Sequence, residues 1–572
     1  MTRRFQLLLA PRLRANRWDV LAGALVLATI ALFMQAGVQM RAPMTGLEIA
    51  PIVLDPRALP GYALRTTVRM FVAMVFTLLF TMVVGTLAAR SRRAGLILLP
   101  LLDVLQSVPV LGYLSFTVVL FFTLFPGSLM GPELAAIFAI FTSQVWNMTF
   151  SFYQSLRTIP ADLADAARSL RLSPWQRFWH LDLPFATPGL VWNAMVSISG
   201  GWFFVVACEA ISVGDRTIEL PGIGSYVAMA ITQRNLAAIG WALLAMLVVI
   251  GLTDLLLFRP LVAWSDQFRL GDTRATAAPR SAMLTLWRRT RLLRRIAGAL
   301  KRALGRYTLG KPMTPWRGPA SHTGSRRLAD LLFYASLLAL ATGSIWFAQH
   351  FLRAFPASEW LRVFGLGALT LLRVLVVTAL AMLVWIPVGV AIGLNPAWTA
   401  RVQPVVQFLA AIPVNLLFPI AVYAIVHLRL NHDVWLSPLV VLGAQWYILF
   451  NVIAGASTIP HELLEIARNL QVKGWLRWRD VLLPGIAPYA ITGALTAWGG
   501  AWNATIVAEV VLWGDQRLVA HGLGAYIATS TEAGDFARIA LGVATMCLYV
   551  VVINRLVWRP LYDAVERRFR FD

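Results

Sequence analysis

The chain has 572 residues, of which 58% are hydrophobic and 13% carry a charge, and its formal net charge is +23. A soluble globular domain is typically about 45–50% apolar and about 25% charged, so this composition excludes an ordinary soluble protein. The positive charge does not indicate a nucleic-acid partner, because the basic residues cluster beside long apolar runs. We therefore expect a polytopic membrane protein with no nucleic acid among its partners.

Long apolar runs recur along the chain, for example at Val20–Val38, Phe71–Ala89, Leu331–Phe347 and Ile539–Leu556. A helix needs roughly 20 mostly apolar residues to cross the hydrocarbon layer, and a helix satisfies its own backbone groups there. We predict about twelve such transmembrane helices in an all-α fold. The first run is too long for the core of a secretory signal, which has about 7–15 residues, so we interpret it as a membrane anchor.

Basic clusters flank the apolar runs, at Arg3–Arg17, Arg90–Arg93, Arg157–Arg177, Arg259–Arg327 and Arg559–Arg570. Such clusters normally mark cytoplasmic loops. Threading twelve spans from a cytoplasmic N-terminus places every cluster inside, so we expect both termini in the cytoplasm. The cysteines Cys208 and Cys547 lie within apolar runs, and neither a disulfide nor a metal site follows from them.

The sequence contains an internal repeat. Matched pairs separated by 300 positions include Asp165-Ala166-Ala167-Arg168 with Glu465-Ile466-Ala467-Arg468, Glu209 with Glu509, Gly222-x-Gly224-x-Tyr226 with Gly522-x-Gly524-x-Tyr526, and Arg259-Pro260-Leu261 with Arg559-Pro560-Leu561. Upstream the offset drifts, and Val108-Pro109-Val110 corresponds to Ile412-Pro413-Val414. We predict two six-helix units of equal orientation, at 1–265 and 328–572, related by a pseudo-two-fold axis along the membrane normal.

A basic linker at 266–327 joins the two units. Its middle, Leu284–Leu304, places apolar residues on one helical face and arginines and lysines elsewhere. A basic amphipathic helix of this kind tends to lie in the headgroup layer beside anionic lipid. We favour a tether over a regulatory role for this linker.

A polar segment of about thirty residues interrupts each half, at about 158–184 and 458–484. In the first copy Pro160 suits a helix start, and Ser173-Pro174 breaks that helix before a second short one reaches Pro184. This pattern predicts a helical hairpin on the cytoplasmic face.

This segment resembles the signature loop of binding-protein-dependent ABC importer permeases. In that signature E-A-A is followed after three residues by Gly, then after nine residues by Ile, and after one more residue by Leu-Pro. Asp165-Ala166-Ala167 and Leu181-x-Leu183-Pro184 correspond to it in the first copy, and Glu465-Ile466-Ala467 and Val481-x-Leu483-Pro484 in the second. Both copies lack the glycine, and its position holds Arg171 in the first copy and Gln471 in the second. The resemblance implies that these loops couple to an ATPase. The implied coupling residues are Asp165, Ala166, Ala167, Arg168, Arg171, Leu183 and Pro184, with Glu465, Ile466, Ala467, Arg468, Gln471, Leu483 and Pro484.

The wider pattern looks like the nitrate, sulfonate, taurine and bicarbonate branch, through Ala207-Cys208-Glu209 and Val507-Ala508-Glu509 with the Gly-x-Gly-x-Tyr turns that follow. The resemblance implies two six-helix type I importer permease units in the bacterial inner membrane. It also implies two ABC ATPase subunits at the cytoplasmic face and a periplasmic substrate-binding protein that delivers a small anion. ATP and magnesium would bind in the ATPase subunits, and this chain would be a transport subunit rather than an enzyme.

Two other functions fit twelve spans: a secondary carrier driven by an ion gradient, and a membrane scaffold. Gly305-x4-Gly310-Lys311 looks like a phosphate loop, but Pro312 replaces the required Ser or Thr and no apolar strand precedes it. We therefore expect no ATP site in this chain.

Six residues are candidates for the translocation pathway or its gate: Glu209, Glu509, Trp202, Trp502, Arg69 and Arg373. A carboxylate in an apolar helix usually faces a cavity or a partner. Glu209 and Glu509 therefore either line or gate the route, or they cap a neighbouring helix or hydrogen-bond the Gly-Asp turn that follows each of them. The Gly-Gly-Trp and Gly-Gly-Ala-Trp segments favour close helix packing. Arg69 and Arg373 either face an outer vestibule or extend to the interface.

The two coupling loops need not be equivalent. Ala166 in the first corresponds to Ile466 in the second, and their glycine positions hold Arg171 and Gln471. This difference predicts that the two halves bind their ATPase subunits differently.

Overall fold

The computed structural model describes residues 52–213, 216–268 and 355–569, with scattered single residues elsewhere. The predicted first span of each half, the amphipathic linker helix and both termini lie outside these ranges. The chain divides by its contacts into two compact units. The smaller unit comprises Met1–Gln39, Gln154–Trp192 and Leu252–Ala320, and the larger unit comprises Met40–Tyr153, Asn193–Gly251 and Ser321–Asp572. This division does not test the predicted domain boundaries.

The described elements of the first half begin with long helices. They are α1 (Leu59–Arg90), α2 (Arg92–Ser107), α3 (Val110–Leu124), α4 (Met130–Arg157), α5 (Ala161–Ser169), α6 (Pro174–Arg177), α7 (Leu183–Glu209), β1 (Ala210–Val213), β2 (Arg216–Glu219), α8 (Ile223–Thr232), α9 (Leu236–Thr253) and α10 (Arg259–Ser265).

The second half repeats this order, except that three helices, α14 to α16, stand where the first half has α4. Its elements are α11 (Ala357–Gly393), α12 (Pro396–Ala410), α13 (Phe418–His427), α14 (His432–Trp435), α15 (Ser437–Leu442), α16 (Gln445–Ser457), α17 (His461–Asn469), α18 (Gly474–Arg477), α19 (Leu483–Ala508), β3 (Val510–Trp513), β4 (Gln516–Val519), α20 (Leu523–Glu532), α21 (Phe536–Ile553) and α22 (Arg559–Phe569).

Seven described helices are long and apolar enough to cross a membrane, and two bent helix pairs raise the number to nine if each pair is one span. The bent pairs are Pro404–Ala410 with Val414–His427 and His432–Leu442 with Gln445–Ser457. The shorter apolar helix Leu114–Leu124 corresponds to the first bent pair. Two further predicted spans lie outside the described residues. Together with them, the described helices are consistent with the prediction of about twelve transmembrane helices.

The 300-residue offset that relates the two halves of the sequence also relates equivalent elements of the fold. Five-residue π-helical turns occur at Phe178–Asp182 and Trp478–Leu482, and again at Asp254–Phe258 and Asn554–Trp558. A π turn is rare in globular proteins. Its recurrence at equivalent positions shows that both copies kept the same local backbone.

Two small antiparallel hairpins depart from the predicted all-helical fold. β1 pairs with β2 and β3 pairs with β4, each over four residues directly after α7 or α19. The strands are too short to give an alternating pattern that stands out from the apolar helix before them. The fold remains all-α in its spanning part.

Within the larger unit, the two halves contact each other at the break before α3 and at the break between α12 and α13. The backbone N–H of Val110 donates to Oδ1 of Asn503 at 2.7 Å, across 393 residues of sequence. The corresponding break in the second half places Nδ2 of Asn415 3.2 Å from the carbonyl oxygen of Phe203. These two hydrogen bonds are related by the repeat, and they join α3 to α19 and the α12–α13 break to α7.

Candidate functional site

The first predicted coupling segment is a helical hairpin that lies in the smaller unit. Asp165, Ala166 and Arg168 are exposed on α5, while Ala167 is 6% exposed. Nη1 of Arg168 lies 2.8 Å from Oδ1 of Asp165, a surface pair that contributes little stability. Leu183 and Pro184 are half-buried at the start of α7.

The second coupling segment lies in the larger unit. It is also a helical hairpin, but it exposes different side chains. Ala467 is buried at 4% exposure, and Glu465, Arg468 and Gln471 are exposed. Ile466 is 53% exposed at the position where the first hairpin has a small alanine. Leu483 and Pro484 are half-buried at the start of α19. The second hairpin therefore presents an additional large apolar side chain.

The glycine position of the signature keeps a glycine-like backbone although no glycine is there. Arg171 has φ 49° and Gln471 has φ 55°, both in the left-handed region. Leu172 N–H donates to the Ala167 carbonyl at 3.1 Å, and Arg171 N–H donates to the Arg168 carbonyl at 2.9 Å. These two bonds form a Schellman motif, which ends α5 and satisfies its last carbonyls. The second hairpin makes the same pair of bonds with Val472 and Gln471.

Gln471→Gly should stabilise the second hairpin by about 1 kcal/mol, because a non-glycine residue in the left-handed region costs about 1–2 kcal/mol. Hydrogen exchange at the Val472 amide, which donates to Ala467 at 2.9 Å, measures this local stability. Slower exchange is expected in Gln471→Gly and faster exchange in Gln471→Val. Equal rates in the two variants would contradict the assignment.

A buried cluster around Arg69 holds four helices of the first half together, α1, α4, α7 and α8. Nε of Arg69 lies 2.5 Å from Oε2 of Glu133, and Nη1 lies 2.6 Å from Oε1 of Glu209. Thr66 donates to Oε1 of Glu209 at 2.6 Å. The Gly224 N–H donates to Oε2 of Glu209 at 2.7 Å. Arg69 and Glu209 are both 0% exposed, so the cluster is isolated from solvent.

The second half has an equivalent cluster around Arg373. Nη1 of Arg373 pairs with Oε1 of Glu509, and Thr370 donates to the same oxygen at 3.0 Å. The Ala525 N–H donates to Oε2 of Glu509 at 2.9 Å. Nε of Arg373 donates to Oγ of Ser437 at 3.1 Å, where the first half has Glu133. The Arg69 cluster therefore has two carboxylates and the Arg373 cluster has one.

In both clusters the glutamate binds the beginning of the short helix that follows the hairpin, α8 or α20. A negative charge there is favoured by the free N–H groups and by the helix dipole. A Cβ added to Gly222 or Gly522 would meet this carboxylate directly, so glycine is required for the approach. Glu209 and Glu509 therefore each cap a neighbouring helix, which is one of the alternatives predicted for them. Whether the pair also gates the route stays a prediction.

Neither predicted environment of the arginines is observed. Arg69 does not face an outer vestibule and does not extend to an interface, because its side chain is 0% exposed and bound to two carboxylates. The side chain of Arg373 is 9% exposed.

Sequence reasoning missed Glu133, Thr66 and Thr370. Glu133 is an acidic residue in a spanning helix, which is the kind of signal that marks a buried partner.

The tryptophans Trp202 and Trp502 lie in the helix packing rather than on an open route. Each is 1% exposed, and Trp502 contacts Trp498 edge to face with ring centres 5.8 Å apart. A cavity of about 80 Å³ lies beside them between α7, α16 and α19 of the larger unit. Its lining includes Gly200, Phe203, Phe204, Phe418, Tyr447 and Gly500, and none of its described lining residues is charged.

The repeated units, paired hairpins and buried clusters define a helical membrane protein with internal two-fold repetition. Residues 81–266 and again 385–571 match the family described as binding-protein-dependent transport system inner membrane component. The chain belongs to this family, with two copies of its domain in one polypeptide.

Individual relatives each match about a third of the chain. The bicarbonate transport system permease protein CmpB of Synechococcus elongatus is 30% identical over 179 residues, 31% of this chain and 61% of its own length. The nitrate import permease protein NrtB of Leptolyngbya laminosa is 27% identical over 190 residues, 33% and 64% of the two lengths. The glycine betaine/proline betaine transport system permease protein ProW of Escherichia coli is 30% identical over 190 residues, 33% and 49%. The chain thus spans about three fifths of the length of the first two relatives.

Proposed function

We propose that this chain supplies both permease units of an ATP-driven importer, with the translocation route between the two halves. The observation that supports this most strongly is the pair of matched hairpins. Both bury one alanine, expose the residues around it, and end in the same Schellman motif. Two hairpins of the same backbone build suit two ATPase subunits, which would carry ATP and magnesium.

The exposure pattern gives a sharper test of coupling than a general disruption of the loop. Ala166 is exposed and Ala167 is buried, so Ala166→Trp alters only the surface, while a bulky residue at Ala167 would damage the hairpin itself. We expect Ala166→Trp to weaken ATPase association by about tenfold or more, equivalent to about 1.4 kcal/mol, because the added ring overfills a packed interface.

The measurement is co-purification of ATPase subunits with the tagged chain from its native membranes. Ala166→Ile is the matched control, because it copies Ile466 of the second loop and should retain the partner. Uptake without ATP and without any ATPase in the purified complex would favour the secondary carrier. No transport in any assay would favour a scaffold.

For the cargo we propose a small anion of the nitrate, sulfonate, taurine or bicarbonate type, delivered by an extracytoplasmic binding protein. The bicarbonate and nitrate relatives support this choice. The betaine relative and the uncharged aromatic lining of the cavity favour a second candidate, a zwitterion with a methylated ammonium group, which aromatic faces attract. Stimulation of the reconstituted ATPase by binding proteins loaded with either solute would separate the two.

The proposed topology places both termini and both coupling hairpins in the cytoplasm of a bacterial cell, with the chain in the inner membrane. The proposed domains are permease units at 1–265 and 328–572 and a basic linker at 266–327. The chemical step of ATP hydrolysis then occurs in partner subunits, and this chain converts their closure into movement of its halves.

A further inference from the structure

Three uncharged polar side chains follow one another between α4 and α7 of the first half. Nδ2 of Asn147 donates to Oδ1 of Asn193 at 3.1 Å, and Nδ2 of Asn193 donates to Oγ of Ser151 at 2.6 Å. Asn147 and Ser151 are one helical turn apart, so the groups run along the helix axis. We call Asn147, Ser151 and Asn193 the amide strip.

Asn147 is exposed although it lies inside Met130–Arg157, one of the candidate membrane spans. Among the described residues its side chain makes one hydrogen bond, which leaves its oxygen and one N–H unused. An amide with unused groups is costly in hydrocarbon, and polar residues inside a membrane normally face the bundle interior or a water-filled cavity. The surface around Asn147 is therefore one that water reaches.

The repeat relates this surface to the cavity between the halves. Asn147 corresponds to Tyr447 at the 300-residue offset, and Tyr447 lines that cavity with Gly200. A Cβ on Gly200 would lie 2.8 Å from the Tyr447 hydroxyl. Asn193 precedes Gly200 by seven residues, about two helical turns, and so lies on the same face of α7. Asn193 thus lies on the face of α7 that lines the cavity about two turns further along the helix, although the three residues of the amide strip do not line that cavity themselves.

The described residues 355–569 of the second half contain no equivalent strip. Gly493 occupies the position of Asn193, and a Cβ there would lie 2.9 Å from the Tyr447 carbonyl oxygen. Asn451, at the position of Ser151, donates to that same carbonyl at 2.8 Å, within its own helix. α16 and α19 therefore approach each other directly, whereas α4 and α7 are joined by amide groups.

We propose that the amide strip, together with the Tyr447 hydroxyl, is the solute-binding surface of the translocation route, and this rests on the proposed function. Amide N–H and hydroxyl groups bind the oxygen atoms of a singly charged oxyanion or of the carboxylate of a zwitterion. None of the described residues that line the adjoining cavity is charged, so the solute is held weakly enough to leave. A multiply charged anion is disfavoured because nothing in this lining compensates its desolvation.

Cysteine labelling tests the proposal without a known partner. Cys208 and Cys547 are first replaced by alanine, and Asn147→Cys is then exposed to a membrane-impermeant methanethiosulfonate in vesicles. We expect it to react at least about tenfold faster than Thr123→Cys, because a thiol reacts as thiolate and apolar surroundings suppress that form. Thr123 is the matched control, since it is exposed on an apolar helix and bonds only to its own helix at Leu120. Ser151→Cys, the smallest change in the strip, serves if Asn147→Cys does not fold.

Excess nitrate, bicarbonate or glycine betaine should slow the labelling of Asn147→Cys and leave that of Thr123→Cys unchanged. Labelling as slow as in the control would show that the strip is helix packing facing lipid, and would overturn the proposal. Fast labelling that none of the three solutes slows would overturn its solute-binding part. Fast, protected labelling in a chain that binds no ATPase would overturn the proposed importer function and leave the strip as a solute site.

Discussion

Arg69→Met should destabilise the protein by about 3–5 kcal/mol, because it leaves two buried carboxylates without their cation. Glu133 and Glu209 are 4% and 0% exposed, so water cannot replace the guanidinium. Thermal unfolding of the detergent-purified protein, together with the yield of folded chain, measures the loss. Arg373→Met should cost less, because only Glu509 loses its partner there.

The repeat supplies a control for this prediction. Glu133→Ser copies Ser437 and leaves Arg69 paired with Glu209, which is the arrangement of the second half. We expect Glu133→Ser to retain most of the thermal stability. An equal loss in Glu133→Ser and Arg69→Met would mean that helix packing, rather than charge pairing, decides the stability of this region.

Gly524→Ala should destabilise the attachment of α20 to α19 by about 1–3 kcal/mol, because the added methyl has no room. Its Cβ would lie 2.5 Å from the Thr505 carbonyl oxygen and 2.9 Å from Oε2 of Glu509. The obstacle is backbone, which cannot rotate away. Separation of α20 would also break the hydrogen bond from Ala525 to Glu509, so transport should fall with stability.

Gly365→Ala is the matched control for this substitution. Gly365 lies within α11, and nothing lies within 4 Å of a Cβ built on it. Alanine is favoured over glycine in a helix interior by about 0.8–1.0 kcal/mol, so Gly365→Ala should keep or raise the unfolding temperature. A similar fall in both variants would contradict the close approach at Gly524.

The features predicted correctly from sequence are those with a local or periodic signal. The apolar runs locate the spans because each helix must be apolar along its own length. The constant offset between Glu209 and Glu509 reveals the repeat, and the signature around Ala167 and Ala467 predicts the family. Family membership and the polytopic helical fold are confirmed.

The features that the sequence does not reveal depend on contacts between distant segments. The pairing of Arg69 with Glu133 joins residues 64 positions apart, and no periodicity specifies it. The left-handed backbone at Arg171 lacks its usual marker, because the glycine that would signal it is replaced. Which face of α7 lines the cavity is set by packing, so Phe203 and Phe204 could not be distinguished from Trp202 beforehand.

The hydrogen bond between Val110 and Asn503 has a consequence for biosynthesis. Its two residues are 393 positions apart, which at roughly 5–20 residues per second is a delay of about 20–80 s between their emergence from the ribosome. During that delay the Val110 N–H lacks the acceptor that it has in the folded chain. This contact between the halves therefore forms only after most of the second half has been synthesised.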